Sequence, residues 1–482
     1  MSATAHGEDQ PIRAEKPWAD PGLALPDLAD PDLAEPDLAD PDLAEPELTG
    51  QDPDRAGPRL AGRHRTQTRA RPRYGDLFAI REFRALWSAQ TLSYAGDQIA
   101  QVAIAILVYA RTGSPSLTAL AYALTYLPPI IGGPLLSGLA DLVPRRQLMI
   151  ALDLGRAGLV TIMSMPYVPL ALMCTLLFAT VLLGPPFAAA RAALLPEVVP
   201  SGTLVLGFTA GNMTFQAGQA GGFLVGGTLV ALLGAHRALA LDALSFCLSA
   251  AVIVGWVRNR PLAETASAPQ RSPAAAAWSA TRGGVAVVFR HAGLRTLVLL
   301  GWLAGFAVVP EGLAAPYAHT LGGGPLTVGL LMAAMPAGMV AGGMLVSRTT
   351  SQDQRVRMIG WLAALSCAPL VCSLLRPPLW LLVPLLVLAG AAGAYQLAAA
   401  DAFVQALPNA VRARAFSVAQ TGLLAAQGLG ILAAGMTATR LGPQSAVGIA
   451  GVLGVGTAAI LASIWTSAAS TVIRPRPRDR KR

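Results

Sequence analysis

Beyond Arg84 the chain consists of long apolar runs separated by short polar breaks. The runs fall near 84–110, 115–140, 147–166, 168–191, 203–233 and 236–257. After a polar stretch at 258–293, rich in alanine, proline and arginine, six more follow at 294–319, 325–347, 357–375, 378–406, 413–439 and 443–468. A helix rises about 1.5 Å per residue, so about 20 apolar residues cross a hydrocarbon core about 30 Å thick. The pattern predicts an all-α integral membrane protein with twelve transmembrane helices. The short alternating segments that would build an outer-membrane barrel do not occur in it.

Composition strengthens this reading. Of 482 residues 54% are hydrophobic and 13% charged, with a mean hydropathy of +0.52. A soluble chain of this length carries nearly twice that charged fraction. The net charge of +9 raises nucleic acid as a partner, but the charge is unevenly placed. Residues 1–62 hold fifteen acids and four bases, whereas 63–482 hold twelve acids and thirty-two bases. Those bases lie between apolar runs without interleaved aromatics, so topology accounts for them and nucleic acid is not an expected partner.

The distribution of bases orients the chain. One set of alternate segments contains 27 Arg and Lys, and the opposite set contains Arg111, Arg237, Arg376 and Arg440. Under the positive-inside rule both termini are cytoplasmic. The chain then divides into an arm (1–80), a six-helix bundle (81–257), a cytoplasmic central loop (258–293), a second bundle (294–470) and a basic tail (471–482). Nothing apolar and long enough for a signal peptide precedes residue 84. The arm carries the repeat "PDLADPDLAEPDLADPDLAE" at 26–45, where proline at every fifth position forbids a helix and one leucine per repeat cannot make a core. It is expected to be disordered, acting either as a spacer or as a docking tail or mask for the arginine run at 63–73. Cys174, Cys247, Cys367 and Cys372 lie in apolar runs without metal-type spacing and read as small core residues.

The two halves resemble each other at offsets of about 205 to 212. "GSPSLTAL" at 113–120 matches "GGPLTVGL" at 323–330, and "LLPEVV" at 194–199 matches "ALPNAV" at 406–411. A repeated six-helix unit is how many secondary transporters are built, with the substrate site at the midplane between repeats.

The break after the second run reads "SGLADLVPRRQLM", 137–149. It resembles the G-x-L-A-D-R-x-G-R-[RK]-x-x-L motif of the major facilitator superfamily through Leu139, Ala140, Asp141, Arg145, Arg146 and Met149, with Ser137, Leu142 and Pro144 departing from it. The stretches "RALWSAQTLSYAGDQIAQVAIAILVYARTGSP", "RAALLPEVVP" and "GAHRALALDALSFCLSA" are similar to its enterobactin-exporter-like and macrolide-efflux-like branch. The resemblance implies alternating access between two pseudo-symmetric bundles and a latch at Asp141, Arg145 and Arg146, which Asp153 and Arg156 either join or leave to pair with each other. "GQAGGFLVGG" at 218–227 is similar to an antiporter motif through Gly222, Gly226 and Gly227, although Phe223 stands in place of its proline; helix packing by these glycines is the other reading. The implied function is proton-coupled export of a drug-like, siderophore-like or other small amphipathic compound. Import of a small metabolite by symport or uniport, and a non-transporting receptor on the same fold, are the alternatives.

Within the spans a few polar residues stand out. A carboxylate at mid-membrane costs roughly 2.5–3.5 kcal/mol by insertion scales, so Asp97 in the first span calls for a role. Tyr94, Asp97 and Gln101 share a helix face by their spacing. Proton or substrate binding and helix packing are both open for them. Glu311 in the seventh span, beside Pro310, reads as a second proton or cation site or as a contact near the external mouth. Asn212, Gln216 and Gln219 form a stripe that either lines the substrate path or bonds between helices. Tyr395, Gln396, Gln420 and Gln427 offer weaker versions of the same choice, and Asp242 and Asp401 read as packing or gating residues.

Other classes fit poorly. The only lysines, Lys16 and Lys481, lie in the tails, so no Walker A loop exists. His236, His291 and His319 are scattered, no G-x-S-x-G occurs, and neither an enzyme nor a metal or other cofactor is expected. The expected partners are the lipid bilayer, a small-molecule substrate and a coupling proton, with the chain acting as a monomer in the cell membrane.

Overall fold

A computed structural model describes residues 74–136, 139–200, 203–260 and 273–472, with some helical residues described by backbone alone. The acidic repeats, the arginine run at 63–73 and the tail from 473 lie outside the described residues. The described chain is helical. In the first half it forms α1 (Tyr74–Ala79), α2 (Arg81–Thr112), α3 (Pro115–Ala123), α4 (Pro128–Leu136), α5 (Leu139–Leu142) and α6 (Arg145–Met163), then α7 (Leu170–Leu182), α8 (Gly184–Val198), α9 (Leu204–Leu233) and α10 (Ala235–Trp256). Helix α11 (Pro273–Arg290) joins the halves. The second half continues with α12 (Ala292–Trp302), α13 (Ala304–Ala307), α14 (Val309–Gly312), α15 (Ala314–Thr320) and α16 (Pro325–Thr349). It ends with α17 (Gln352–Val371), α18 (Leu379–Gly393), α19 (Tyr395–Ala406), α20 (Asn409–Leu441) and α21 (Pro443–Val472).

Among the described residues, 10 helical segments are long and apolar enough to cross a membrane. They correspond to the first expected span and to the fourth through twelfth. The second expected span is two nine-residue helices, α3 and α4, parted at 124–127 ahead of Pro128 and Pro129. The pair of prolines removes two backbone donors and turns the preceding residue away from helix. The third, α6, is nineteen residues long and carries Arg145, Arg146, Asp153 and Arg156.

The turns repeat between halves. Among the described residues the glycines with positive φ are Gly113, Gly234, Gly322 and Gly442. Gly113 and Gly322 are 209 residues apart and Gly234 and Gly442 are 208 apart, within the offset seen in the sequence. At Gly113 (φ 61) the amide closes on Tyr109 O, then the Ser114 side chain caps α3 and Pro115 opens it. A left-handed residue that only glycine adopts freely thus stops one span and aims the next.

These glycine turns mark a far face, opposite the terminal face where Tyr74 and Val472 lie. At the far face a single apolar cluster draws Val102, Ala119 and Tyr122 from the first half together with Tyr317, Leu331 and Ile431 from the second. Near the terminal face each half has its own cluster, around Leu86, Met149 and Leu194 in the first and Leu300, Phe403 and Trp465 in the second. The halves are joined at one end and parted at the other.

The stretch read as a central loop contains α11, eighteen residues long. It seats on α20: a Cβ at Gly284 would stand 2.6 Å from Arg414 O, and Val288 is fully buried. Its Gly283–Gly284 pair and following valines are weak helix formers, so docking on α20 supplies what its composition does not.

Candidate functional site

The seventh span is broken into α12 to α15, with stops at Leu303, Val308 and Leu313 around Pro310. Breaks at membrane depth are tolerated where they face protein or a cavity. Here they border a cavity of about 530 Å³. It reaches from Glu311 toward the terminal face, where Leu297, Phe403 and Phe416 line it. A volume of this order suits a drug-sized ligand.

Most of its wall comes from the second half, with Tyr126, Phe215, Gln216 and Gln219 contributed by the first. Trp302, Met335, Met339 and the three phenylalanines give it polarisable apolar surface, and Gln396, Gln420 and Gln427 add amides. Glu311 is the one ionisable carboxylate among the described lining residues, and no basic residue joins it. Glu311 is 6% exposed, and its Oε2 accepts a 2.8 Å hydrogen bond from the Tyr122 hydroxyl of α3. The Tyr126 ring lies 5.9 Å from that of Tyr122.

The other expected site residues divide among three places. Gln216 and Gln219 line the cavity, and Gln216 Nε2 donates to Met339 Sδ at 3.0 Å, an interhelical contact between halves. The Asn212 side chain lies outside the described residues. Tyr94 is one layer back, its ring 5.1 Å from Phe215. Gln101 borders a small gap beside Tyr122 and Thr125. Tyr395 is buried and donates to Leu300 O at 2.7 Å, which is a packing role.

Asp97 does not line this cavity. Arg156 Nη2 donates to both its oxygens, at 2.8 and 3.1 Å, and Arg156 Nη1 donates to Ser93 Oγ at 3.3 Å. The guanidinium carbon lies 4.1 Å from the Phe246 ring centroid, a cation–π geometry. Asp153 accepts from Ser249 at 2.6 Å, so the expected Asp153–Arg156 pair gives way to Asp97–Arg156. The physical reason lies in α10, which packs against both α2 and α6, with Gly96 of α2 leaving room for Asp242 and Ser245 of α10.

At the terminal face Arg145 pairs with Glu197 and also donates to Ala193 O. Arg146 donates to Val254 O at 2.6 Å. Arg260 grips Glu82 with two bonds of 2.5 and 2.9 Å and lies 3.5 Å from Glu197. The Asp141 side chain lies outside the described residues, and Asp153 and Arg156 sit in the buried cluster rather than in this network. Glu82, Glu197 and Arg260 were not singled out in the sequence, where they look like ordinary loop charges. Tyr122 was missed too, since a tyrosine in an apolar run gives no sign of a partner 189 residues away.

The three packing glycines are all at close contacts. A Cβ on Gly222 would meet Gln98 Cβ at 2.7 Å, and one on Gly226 would meet Ile99 Cα at 3.0 Å. On Gly227 it would meet Gly329 Cα, in the other half, at 2.8 Å. Phe223, in place of the motif's proline, is fully buried.

The profile of a family described as transmembrane secretion effectors matches residues 77–474. Macrolide efflux protein A of Streptococcus pyogenes is 25% identical over 290 residues, covering 58% of this chain and 69% of that protein. The uncharacterized MFS-type transporter YfiS of Bacillus subtilis is 29% identical over 195 residues, covering 39% of this chain and 45% of that one. Among solved structures, a bacterial homologue of the human lysosomal transporter Spinster, inward-facing and occupied, aligns with a TM-score of 0.63 at 15% identity over 81% of this chain and 96% of that one. A POT family transporter aligns at 0.62 with 12% identity over 81% of this chain and 96% of that one. At such identities the structural likeness speaks for the fold.

Proposed function

Because the chain belongs to the transmembrane secretion effector family of MFS-type transporters, we propose that it is a proton-coupled exporter of a small amphipathic compound. The observation that carries this reading is the cavity itself. One buried carboxylate, Glu311, lies at the closed end of a space lined by aromatic, thioether and amide groups, and both halves contribute to its wall. Such a site takes an apolar body by burial and stacking, with a hydrogen-bonding or cationic group aimed at Glu311.

In this reading twelve spans cross the cytoplasmic membrane of a bacterium with both termini inside. The terminal face is then cytoplasmic, and the structure corresponds to a state open to the cytoplasm and closed outside. An exporter loads in this state. The glycine contact at Gly227 and Gly329 and the Tyr122–Glu311 bond close the far side; Arg145–Glu197 and Glu82–Arg260 belong to the cytoplasmic latch. Protons moving down their gradient bias the exchange between the two states, since a ligand shifts an equilibrium only through its differential affinity for them. Efflux by the streptococcal relative supports the direction of transport.

The test is flux in proteoliposomes with an imposed pH gradient, using amphipathic weak bases, macrolides and siderophores as probes. Export of at least one probe against its gradient, abolished by a protonophore, is the expected result. Flux that ignores the pH gradient, or runs only inward, overturns the reading.

A further inference from the structure

Four charged side chains are enclosed where α2, α6 and α10 meet: Asp97, Asp153, Arg156 and Asp242. Asp153, Asp242 and Arg156 are 0, 1 and 6% exposed, and the Asp97 side chain 25%. Helix α9, which also packs on α10, contributes no charged residue. Three carboxylates therefore share one guanidinium. If all were ionised, two negative charges would lie buried without a counter-charge, which a membrane interior does not sustain. Charge balance therefore calls for protons on two of the three acids.

Geometry separates their roles. Asp97 takes both contacts from Arg156 Nη2 and is the ionised partner. Asp153 is sealed and held by the Ser249 hydroxyl at 2.6 Å. Asp242 abuts α2 at Gly96, where any Cβ would strike its Oδ1, and this places it beside Asp97. Its hydrogen bond is a long one, from Ser245 at 3.3 Å. Asp97 is the one member of the cluster with appreciable exposure, so its edge is the way out for a proton. Arg156 has a further donor ready, because its buried Nε has no partner among the described atoms.

We propose that Asp242 carries the exchangeable coupling proton, at a site separate from the substrate cavity. This rests on the proton-coupled reading above. Breaking the Asp242 O–H bond sends the proton past Asp97 to water, with nothing oxidised or reduced. The new carboxylate then competes with Asp97 for Arg156. Exchange of the guanidinium between α2 and α10 shifts α2, and α2 is seated through Gln98 and Ile99 on Gly222 and Gly226. The next residue, Gly227, makes the contact with Gly329 that closes the far face. Loss of a proton in the first half thereby reaches the gate without touching substrate.

The experiment compares wild type, Asp242→Asn and Asp242→Glu in proteoliposomes, together with infrared difference spectra of the purified proteins. Asparagine mimics the neutral acid. Asp242→Asn is expected to lose pH-driven export while still exchanging labelled for unlabelled substrate without a gradient. Asp242→Glu is expected to retain pH-driven export, which excludes misfolding as the cause. A carboxylic C=O band that responds to pH should be present in wild type and absent from Asp242→Asn. Export by Asp242→Asn at the wild-type rate under a pH gradient overturns the proposal, and so does an unchanged band. If wild type itself ignores the gradient, the exporter reading fails, and the infrared band still decides whether Asp242 holds a proton.

Discussion

The Tyr122 hydroxyl donates a 2.8 Å hydrogen bond to Glu311 Oε2, so one bond crosses from the first half to the second at the buried end of the cavity. A group that binds Glu311 from the cavity side competes with that bond. Under the proposed function, substrate binding and closure of the far face would draw on the same carboxylate.

Tyr122→Phe keeps the ring and removes the donor. A hydrogen bond to a charged group contributes roughly 1.5–3 kcal/mol, so the equilibrium between far-face closed and far-face open should move about tenfold toward open. Thiol labelling of Ser116→Cys, beside Gly435, in a background without the four native cysteines reads that shift. Labelling at the unmodified rate would show that the bond does not hold the gate.

Glu311→Gln leaves shape and hydrogen bonding but removes the charge. Binding of a cationic amphipath should weaken by more than about tenfold, the usual scale for losing one partner of a buried charge pair. A neutral analogue of the same shape should bind almost as before. Trp302 lines the cavity, and quenching of its fluorescence follows both titrations. Equal losses for the two ligands would place the cationic group elsewhere.

Gly329→Leu puts a side chain where Gly227 Cα and Phe223 O leave no room for even a Cβ. The side chain can be housed only if the far face opens, so the variant should fold, stop transporting and label rapidly at Ser116→Cys. Transport at the wild-type rate would mean that this contact is not part of the cycle.

Asp97→Asn leaves Arg156 buried without its carboxylate. Breaking a buried pair costs about 3–5 kcal/mol, reduced here to about 2–3 because Asp97 is partly open. The melting temperature in detergent should fall, and Asp97→Asn with Arg156→Gln should recover part of the loss without restoring transport. Asp242→Asn should melt close to wild type. The reverse order of stabilities would assign the proton to Asp97 instead.

Much of the fold was legible because its causes are local. Apolar length marks the spans, and the repeat offset relates the two halves. Where prolines and charges fall inside a span, as in α3 to α6, length and hydropathy say less, and the twelve-span count rests on pattern there. Helix α11 was read as loop because its stability comes from contact with Arg414 and Val418 of α20, which no local composition reports.

The candidate site was legible as a set of residue types but not as an arrangement. Asp97, Glu311 and the glutamines stand out because a polar group in an apolar run is costly wherever it points. What each one meets depends on helices far apart in sequence. Arg156 lies three residues from Asp153 yet pairs with Asp97, because α10 packs on both α2 and α6 and Arg156 reaches over Phe246 of α10 to α2. Glu311 meets Tyr122 because the seventh span breaks there and the two halves close over it. The sequence by itself determined a membrane-spanning helical protein built of two related halves with acids inside. Partner choice among those acids was decided by tertiary structure alone, since a buried charge is stabilised by whichever counter-charge or donor the packing brings within about 3 Å.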